Sequence, residues 1–308
     1  MVFWQRCFYG LALLWLSACA STELDRYLRE PPSVPSEARV VGVPFLQQER
    51  NHCGPASLAM ILGWAGKKVS PDELADKMFT PGKEGTFQMD VLGAVRREGF
   101  LGILIKGFDA LFKELNAGNP VLVFENLGLS WYPRWHYAVA VGYDLERKII
   151  TLHSDRDANK EFSLFRFERD WEGSDFWAAV VLPPGRLSAS ADEVDHLEAA
   201  SGLERVGKND EAEVAYKKIL SRWPKSIGAM VGLGNTHFFR GDNRGAVSVL
   251  KEATVFHPRT PEVWHNLAIA YSAANHPGLA RQSARKALRL VTADRVDAYK
   301  RSLSSLLK

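Results

Sequence analysis

Apolar positions recur along the chain in three rhythms, and each predicts a different kind of structure. In the first, Leu58, Ile61, Leu62 and Ala65 return at helical spacing behind Cys53-Gly54-Pro55. A second helix opens at Ser70-Pro71-Asp72-Glu73, where Ser70 caps, Pro71 fits the first turn and Glu73 closes a capping box. A third spans about Phe87 to Glu98 and stops at Gly99, and a short one lies near Leu111 to Leu115. The rhythm then changes to runs rich in β-branched and aromatic residues: Val121–Phe124, His136–Tyr143, Ile149–His153 and Phe176–Leu182. These predict an α+β domain, with N-terminal helices followed by an antiparallel sheet.

The third rhythm is longer. Pro224 and Pro258, Gly207 and Gly241, and the series Ala212, Ala246, Ala280 all recur at 34 residues, a period that marks a repeat array. Three units follow, at about 193–226, 227–260 and 261–292, with Ala200, Gly234 and Ala268 as small residues and Tyr216, Leu250 and Ala284 as second-helix contacts. Asp294 to Leu307 then reads as a helix capping the last unit. The units resemble tetratricopeptide repeats, most closely at Trp264, Leu267, Tyr271 and Ala280.

Composition narrows the class without naming a function. The 308 residues are 46% hydrophobic and 24% charged, with 3 Cys, which excludes a disordered chain, a collagen repeat and a disulfide scaffold. A net charge of +3 gives no argument for nucleic acid. The charge is unevenly placed: residues 19–186 carry −3 and residues 187–308 carry +5. Pro183 to Ala191 has linker composition between them.

At the N-terminus, Arg6, the apolar stretch Phe8–Leu16 and then Leu16-Ser17-Ala18-Cys19 have a signal-peptide layout. The apolar run is too short for a bilayer-spanning helix. The cysteine after small residues resembles a bacterial lipobox, which implies lipidation of Cys19, with a plain secretory signal as the alternative. Ala20 in place of Asp implies an outer-membrane lipoprotein of the cell envelope, facing the periplasm. The expected layout is therefore a signal peptide at 1–18, an extended proline-rich tether at 19–38, an α+β domain at 39–184, a linker at 185–192, repeats at 193–292 and a capping helix at 293–308.

Processing of this kind removes Cys7 and spends Cys19 on lipid, leaving Cys53 as the one usable thiol. An unpaired thiol in an oxidising compartment is either deeply buried or chemically employed. Cys53 stands where a helix begins, and unpaired N–H groups there favour a thiolate, so a lowered thiol pKa is expected. His136 opens an apolar strand, a rigid place from which to present an imidazole as base and proton donor. Gln47, six residues before Cys53, carries an amide able to join the Cys53 N–H in holding an oxyanion. Taken singly, Cys53 also reads as a small core residue, His136 as a structural imidazole, and Gln47 has Gln48 beside it.

Val43-Pro44-Phe45-Leu46-Gln47-Gln48, Asn51-His52-Cys53-Gly54-Pro55-Ala56-Ser57-Leu58-Ala59-Met60 and His136-Tyr137-Ala138-Val139-Ala140-Val141-Gly142-Tyr143-Asp144 together resemble the bacteriocin-processing, double-glycine type of cysteine peptidase over roughly residues 40–184. The resemblance implies a papain-like fold with Cys53 as nucleophile, His136 as base and Gln47 in the oxyanion hole, cleaving peptide bonds without a metal or organic cofactor. In such peptidases an Asp or Asn near the end of the next strand orients the His. Here that strand ends Leu152-His153-Ser154-Asp155. Asp155 reaches back through a longer turn, or His153 or Ser154 substitutes, or the orienting group is missing.

The aromatic run Trp131-Tyr132-Pro133-Arg134-Trp135 before His136 reads either as a substrate-groove lining or as a packed loop. In the repeats, Lys286, Arg295, Lys300, Arg301 and above all Arg281, Arg285 and Arg289 form a basic set that favours an acidic protein partner or a chain-terminal carboxylate, unless it is only a solvated helix face. Two functions follow. One is a lipid-anchored envelope cysteine peptidase whose repeats recruit a protein partner or substrate; the other is a peptidase-like adaptor without turnover. Acyl or amide transfer through the same thioester is a third class.

Overall fold

The computed structural model describes residues 22–30, 33–48, 52–78 and 85–307. In chain order the first domain runs α1 (Glu23–Arg29), β1 (Glu37–Arg39), α2 (Cys53–Trp64), α3 (Pro71–Met78), α4 (Gln88–Arg97), β2 (Leu101–Lys106), α5 (Gly107–Asn116), β3 (Val121–Asn126), β4 (Trp135–Asp144), β5 (Ile149–Ser154), β6 (Asp157–Ser163), α6 (Leu164–Glu172) and β7 (Trp177–Leu182). The strands form one antiparallel sheet in the order β2-β7-β3-β4-β5-β6, with β1 paired to the far half of β4.

Both faces of this sheet are covered. Leu58–Leu62 of α2, Leu74 and Met78 of α3, and Val91, Ala94 and Val95 of α4 pack on the side of Leu122, Tyr137, Val139 and Val181. Leu24 of α1, Phe108 and Phe112 of α5, and Phe167 and Trp171 of α6 pack on the side of Val121, Val123, Ala138 and Leu152. Strands buried on both faces need apolar residues at consecutive positions, which is why Val121–Phe124 of β3 reads as an apolar run rather than an alternation. The same reason makes α2 apolar all round: Gly54 through Leu62 are buried.

Helices α3 and α4 lie where the periodicity predicts, and the Ser70–Glu73 capping box is closed from both sides. Three elements carried no legible signal: β2, the exposed and polar β6, and α6. The extended tether expected at 19–38 is corrected. Within it, Leu24 of α1 is fully buried, the Leu24 N–H donates to Glu168, Phe108 N–H donates to Glu23, and Glu37–Arg39 adds a strand to the sheet. A proline-rich composition predicted an extended chain, but one buried leucine stabilises docking by about 2 kcal/mol. The signal peptide, Cys7 and Cys19 lie outside the described residues.

After β7 come α7 (Glu193–Arg205), α8 (Asn209–Arg222), α9 (Ile227–Phe239), α10 (Asn243–Phe256), α11 (Pro261–Ala273), α12 (Pro277–Leu290) and α13 (Val296–Ser302). The first six pair as three helical hairpins in the predicted units. A Cβ on Gly234 would lie 2.7 Å from Leu250 Cγ, so this close helix approach requires the small residue. Tyr299 and Leu303 of the terminal helical segment cover Ala268, Ala284 and Ala287, which gives the last hairpin its cap.

The linker expected at 185–192 is corrected as well. Ser188 is buried, and the fully buried Glu114 accepts hydrogen bonds from the Ser188 hydroxyl, the Ser190 hydroxyl and N–H (2.7 and 2.8 Å) and the Asn119 amide (2.6 Å). Ala199, Ala200 and Leu203 of α7 and Tyr216 of α8 join the same core as β2 and α5.

Candidate active site

Helix α2 starts at Cys53, and its N-cap, His52, makes no side-chain cap bond. Pro55 in the first turn sacrifices no hydrogen bond, since that N–H would be unpaired anyway. The helix end abuts β4. One turn beyond Cys53, the Ser57 hydroxyl donates to the Tyr137 carbonyl at 3.2 Å. The backbone N–H groups of Tyr137, Gly54 and Cys53 favour the anionic form of the Cys53 sulfur. A hydrogen bond from the Tyr137 N–H places the thiol beside the residue that follows His136 in the chain.

His136 Nε2 is 2.9 Å from Ser154 Oγ, and Ser154 is buried. This bond leaves Nδ1 as the ring nitrogen without a hydrogen-bond partner among the described residues, available for proton exchange. Strand parity explains why Ser154 is the partner. Val139 and His153 are directly opposed between β4 and β5 and so share a face. The residues one place along, Ala138 and Leu152, lie on the other face in the second core, and His136 and Ser154 continue that alternation.

Of the three orienting candidates from the sequence the structure brings Ser154 to His136, and His153 and Asp155 are therefore corrected. His153 is buried on the opposite side, with Nε2 3.3 Å from the Val43 carbonyl, Nδ1 accepting from the Asn159 N–H and its ring edge-on to Phe45. Asp155 is exposed, with φ of 58° in the turn between β5 and β6, and its carboxylate makes no hydrogen bond to His136. Its charge still favours the imidazolium, against the stronger effect of burial.

The structure separates Gln47 from its neighbour: the Gln47 side chain is exposed, whereas Gln48 is buried with its amide engaged. Gln48 Nε2 donates to Ser57 Oγ (3.1 Å) and to the Tyr137 carbonyl (3.3 Å), and its Oε1 accepts from the Asp155 N–H (3.2 Å). The Gln48 N–H also donates to the Asp155 carbonyl. Gln48 thus ties the segment before Cys53, the α2 helix, the His136 strand and the β5–β6 turn together. Adjacent identical residues offer the sequence no means of choosing between them.

The electrostatics of the pair differ from the expected lowered thiol pKa. Burial pushes the Cys53 thiol up, partly opposed by the three N–H groups, while Asp155 adds to the rise. Burial pulls His136 down to about 4, with Asp155 opposing and Arg134 and Lys160 adding to the fall. At neutral pH both the Cys53 thiol and the His136 imidazole are therefore neutral. The imidazole is unprotonated, and burial makes it a weaker base than a free histidine.

The hairpin before His136 is rigid and its aromatics face outward. Asn126 Oδ1 accepts from the Gly128 and Arg134 N–H groups, Leu129 pairs with Tyr132, and a Cβ on Gly128 would collide with the Tyr132 carbonyl oxygen. Trp131 and Tyr132 are 79% and 68% exposed, while Trp135 stacks on Phe124 at 5.1 Å. On the other side, the Tyr137 hydroxyl donates to the Thr86 carbonyl beside the exposed Phe87 and Met89.

In the repeats the basic set divides. Arg295 pairs with Glu262, Lys300 with Asp297, and Lys286 lies over the Trp264 ring. Arg281, Arg285 and Arg289, at every fourth position of α12, are exposed and make no ion pair among the described residues.

Residues 40–176 match the model of the Peptidase_C39 like family. No curated protein matches the chain. Among solved structures, the chain is similar to a C39-like peptidase from Bacillus anthracis at 19% identity, covering 50% of this chain and 100% of that one, with a TM-score of 0.42. It is similar to the peptidase domain of Streptococcus ComA, a bifunctional ABC transporter of a quorum-sensing pathway, at 25% identity, covering 46% and 99% respectively, with a TM-score of 0.39. A thermophilic TPR protein of Thermus thermophilus is matched at 22% identity over 37% of this chain and 63% of that one, with a TM-score of 0.35.

Proposed function

With residues 40–176 taken as a C39-like peptidase domain followed by tetratricopeptide-like repeats, we propose that the protein is a cysteine peptidase of the bacterial envelope. The observations that support this reading are that Cys53 starts α2 near the Tyr137 N–H, that Tyr137 directly follows His136 in β4, and that Ser154 on the next strand holds the His136 ring by Nε2. Cys53 attacks a peptide carbonyl as His136 Nδ1 takes the thiol proton. That proton then passes to the leaving amine, and water hydrolyses the thioester. The N–H groups at the start of α2 stabilise the oxyanion, within a frame fixed by Gln48 and Ser57.

The exposed Trp131 and Tyr132 in the hairpin before His136, and the exposed Phe87 and Met89 after Thr86, support an extended peptide substrate with apolar side chains. The repeats take a protein partner, and the Arg281, Arg285 and Arg289 stripe favours an acidic one. Lipidation of Cys19 anchors the protein in the outer membrane facing the periplasm. Only residues 20–22 would separate that lipid from α1, so the catalytic domain would sit close to the membrane surface.

Comparing new protein N-termini in envelopes carrying wild type and Cys53→Ala tests proteolysis. Termini present only with wild type are expected; identical sets would leave a peptidase-like adaptor as the better reading. For the anchor, Cys19→Ala is expected to move the protein from the membrane to the soluble fraction, and unchanged membrane retention would refute lipidation at this residue.

A further inference from the structure

Glu125 is a buried carboxyl that the mechanism above does not use. It lies on β3 directly opposite His136 of β4, in the register Glu125↔His136. Directly opposed residues on antiparallel strands share a face, with Cβ atoms roughly 5 Å apart. Ser154 flanks His136 from β5, on the other side of β4. His136 on β4 thus has the Ser154 hydroxyl at its ring from one neighbouring strand and Glu125 at the directly opposed register position of the other.

The Glu125 side chain is only 4% exposed, and neither carboxyl oxygen is hydrogen bonded among the described residues. The charged groups facing it from α6 are Asp170 and Arg166, which pair with each other at 3.7 Å, and Arg169 also bonds Asp170 at 2.9 Å. From β4 it faces His136, itself subject to Arg134, Asp155 and Lys160. Both α6 cations pair with Asp170, Arg166 also acting on Glu125, and the basic residue opposite Glu125 on β4 is His136.

Resting on the proposed Cys53–His136 pair, we propose that Glu125 is a positioning residue for His136, supplying the anionic flank that a serine at position 154 does not. Ser154 fixes the ring but carries no charge with which to stabilise an imidazolium. Glu125 can supply that charge once ionised. Burial, assisted by Asp170 and opposed by Arg166, pushes its pKa up to about 8. Below that pH the site holds a neutral acid beside a neutral imidazole. Above it, the carboxylate favours the thiolate–imidazolium form, so Cys53 becomes more reactive for a reason separate from its own titration.

The test uses the full chain with isotope-labelled histidine. In a Cys53→Ala background, which removes thiol ionisation, the His136 ring resonance is followed from pH 3 to 10. Two steps are expected, one near 4 from the ring and one near 8 from Glu125. Glu125→Gln, which mimics the protonated acid, should abolish the upper step and leave the lower one. Where Glu125→Gln fails to fold, Asp170→Asn should move the upper step to lower pH. Iodoacetamide alkylation of Cys53, in the native-cysteine background, should be at least fivefold slower in Glu125→Gln at pH 9 and equal to wild type at pH 6.5. An upper step that survives Glu125→Gln and stays in place in Asp170→Asn, or equal alkylation rates at both pH values, overturns the proposal. His136→Ala separates the two readings: if it leaves the alkylation profile unaltered, the Cys53–His136 pair itself fails, whereas an altered profile together with an inert Glu125→Gln rejects only the role of Glu125.

Discussion

Substitution at Ser154 tests how the imidazole is held. The hydroxyl lies 2.9 Å from His136 Nε2, and the residue is 6% exposed, so Ser154→Ala removes a partner where little water can replace it. A hydrogen bond of this kind contributes about 0.5–1.5 kcal/mol net, which corresponds to a loss of roughly 2- to 12-fold in kcat/KM if the ring is misoriented. Ser154→Asp acts differently, because it adds a negative charge. Two unit charges about 4 Å apart gain on the order of 4 kcal/mol at an effective dielectric near 20, and burying the new carboxylate consumes part of that. A net rise of roughly 1–3 pKa units is the ordinary outcome for such a pair. His136, pulled down to about 4 in the wild type, should therefore titrate distinctly higher in Ser154→Asp. The assay is the ring resonance of labelled His136 as a function of pH, with the alkylation rate of Cys53 measured on the same samples. A wild-type rate in Ser154→Ala together with an unmoved His136 titration in Ser154→Asp would falsify the assignment of Ser154 as the orienting residue.

Three further outcomes follow from other contacts. Gln48→Ala strands the Asp155 N–H and should cost about 1–3 kcal/mol in denaturant unfolding and slow Cys53 alkylation, whereas Gln47→Ala should stay within about 0.5 kcal/mol; the reverse ranking would restore Gln47. Because burial lowers His136 from 6.5 to about 4, the unfolded chain takes up a proton in this window that the folded chain resists. Stability is therefore full above pH 6.5 and falls as pH drops toward 4, by at most roughly 3 kcal/mol from this group; His136→Asn should lose less stability than wild type between about pH 7 and pH 4.5, and equal losses would contradict the burial argument. Glu114→Ala leaves the Ser190 N–H and the Asn119 amide without their acceptor and should cost about 3 kcal/mol or more, with faster proteolytic cutting at 185–192; an unchanged unfolding midpoint and cutting rate would show that the junction does not depend on this carboxylate.

The legible parts of the sequence are those with many repetitions of one signal. Helices α3 and α4 and the six repeat helices follow from periodicity and caps, and Cys53 and His136 follow from their places at the start of a helix and a strand. Polar β6, three-residue β1 and short α1 carry too few apolar positions to reveal a period. At the site, the difficulty is one of single-residue offsets. Ser154 and His153 are neighbours on opposite faces, and the choice between them needs the register of β5 against β4, including the irregularity between Ala140 and Gly142. Gln47 and Gln48 pose the same problem in a segment without regular structure. The burial that raises Cys53 and lowers His136 is likewise a property of packing across the sheet, which residue identity alone does not record.

The junction between the two halves shows where composition misleads. Pro183, Pro184, Gly185 and the serines that follow have the makeup of a flexible linker, yet in the fold Ser188 and Ser190 are donors that satisfy buried Glu114. His196 Nε2 accepts from the Ser188 N–H, and Arg186 donates to the Ala117 carbonyl while lying over the Trp64 ring. With Leu203 and Tyr216 in the same core as β2 and α5, the first repeat is packed as part of the α+β domain rather than tethered to it. For the proposed recruitment of a protein partner, that difference has a physical consequence. A flexible tether gives a broad distribution of distances and a low effective concentration at any one of them, whereas a rigid junction concentrates the partner only where the geometry matches. Selectivity for a substrate carried by such a partner would then depend on the span from the repeats to Cys53 as well as on the side chains beside the thiol. Loosening the Glu114 cluster would broaden that span without touching Cys53 or His136.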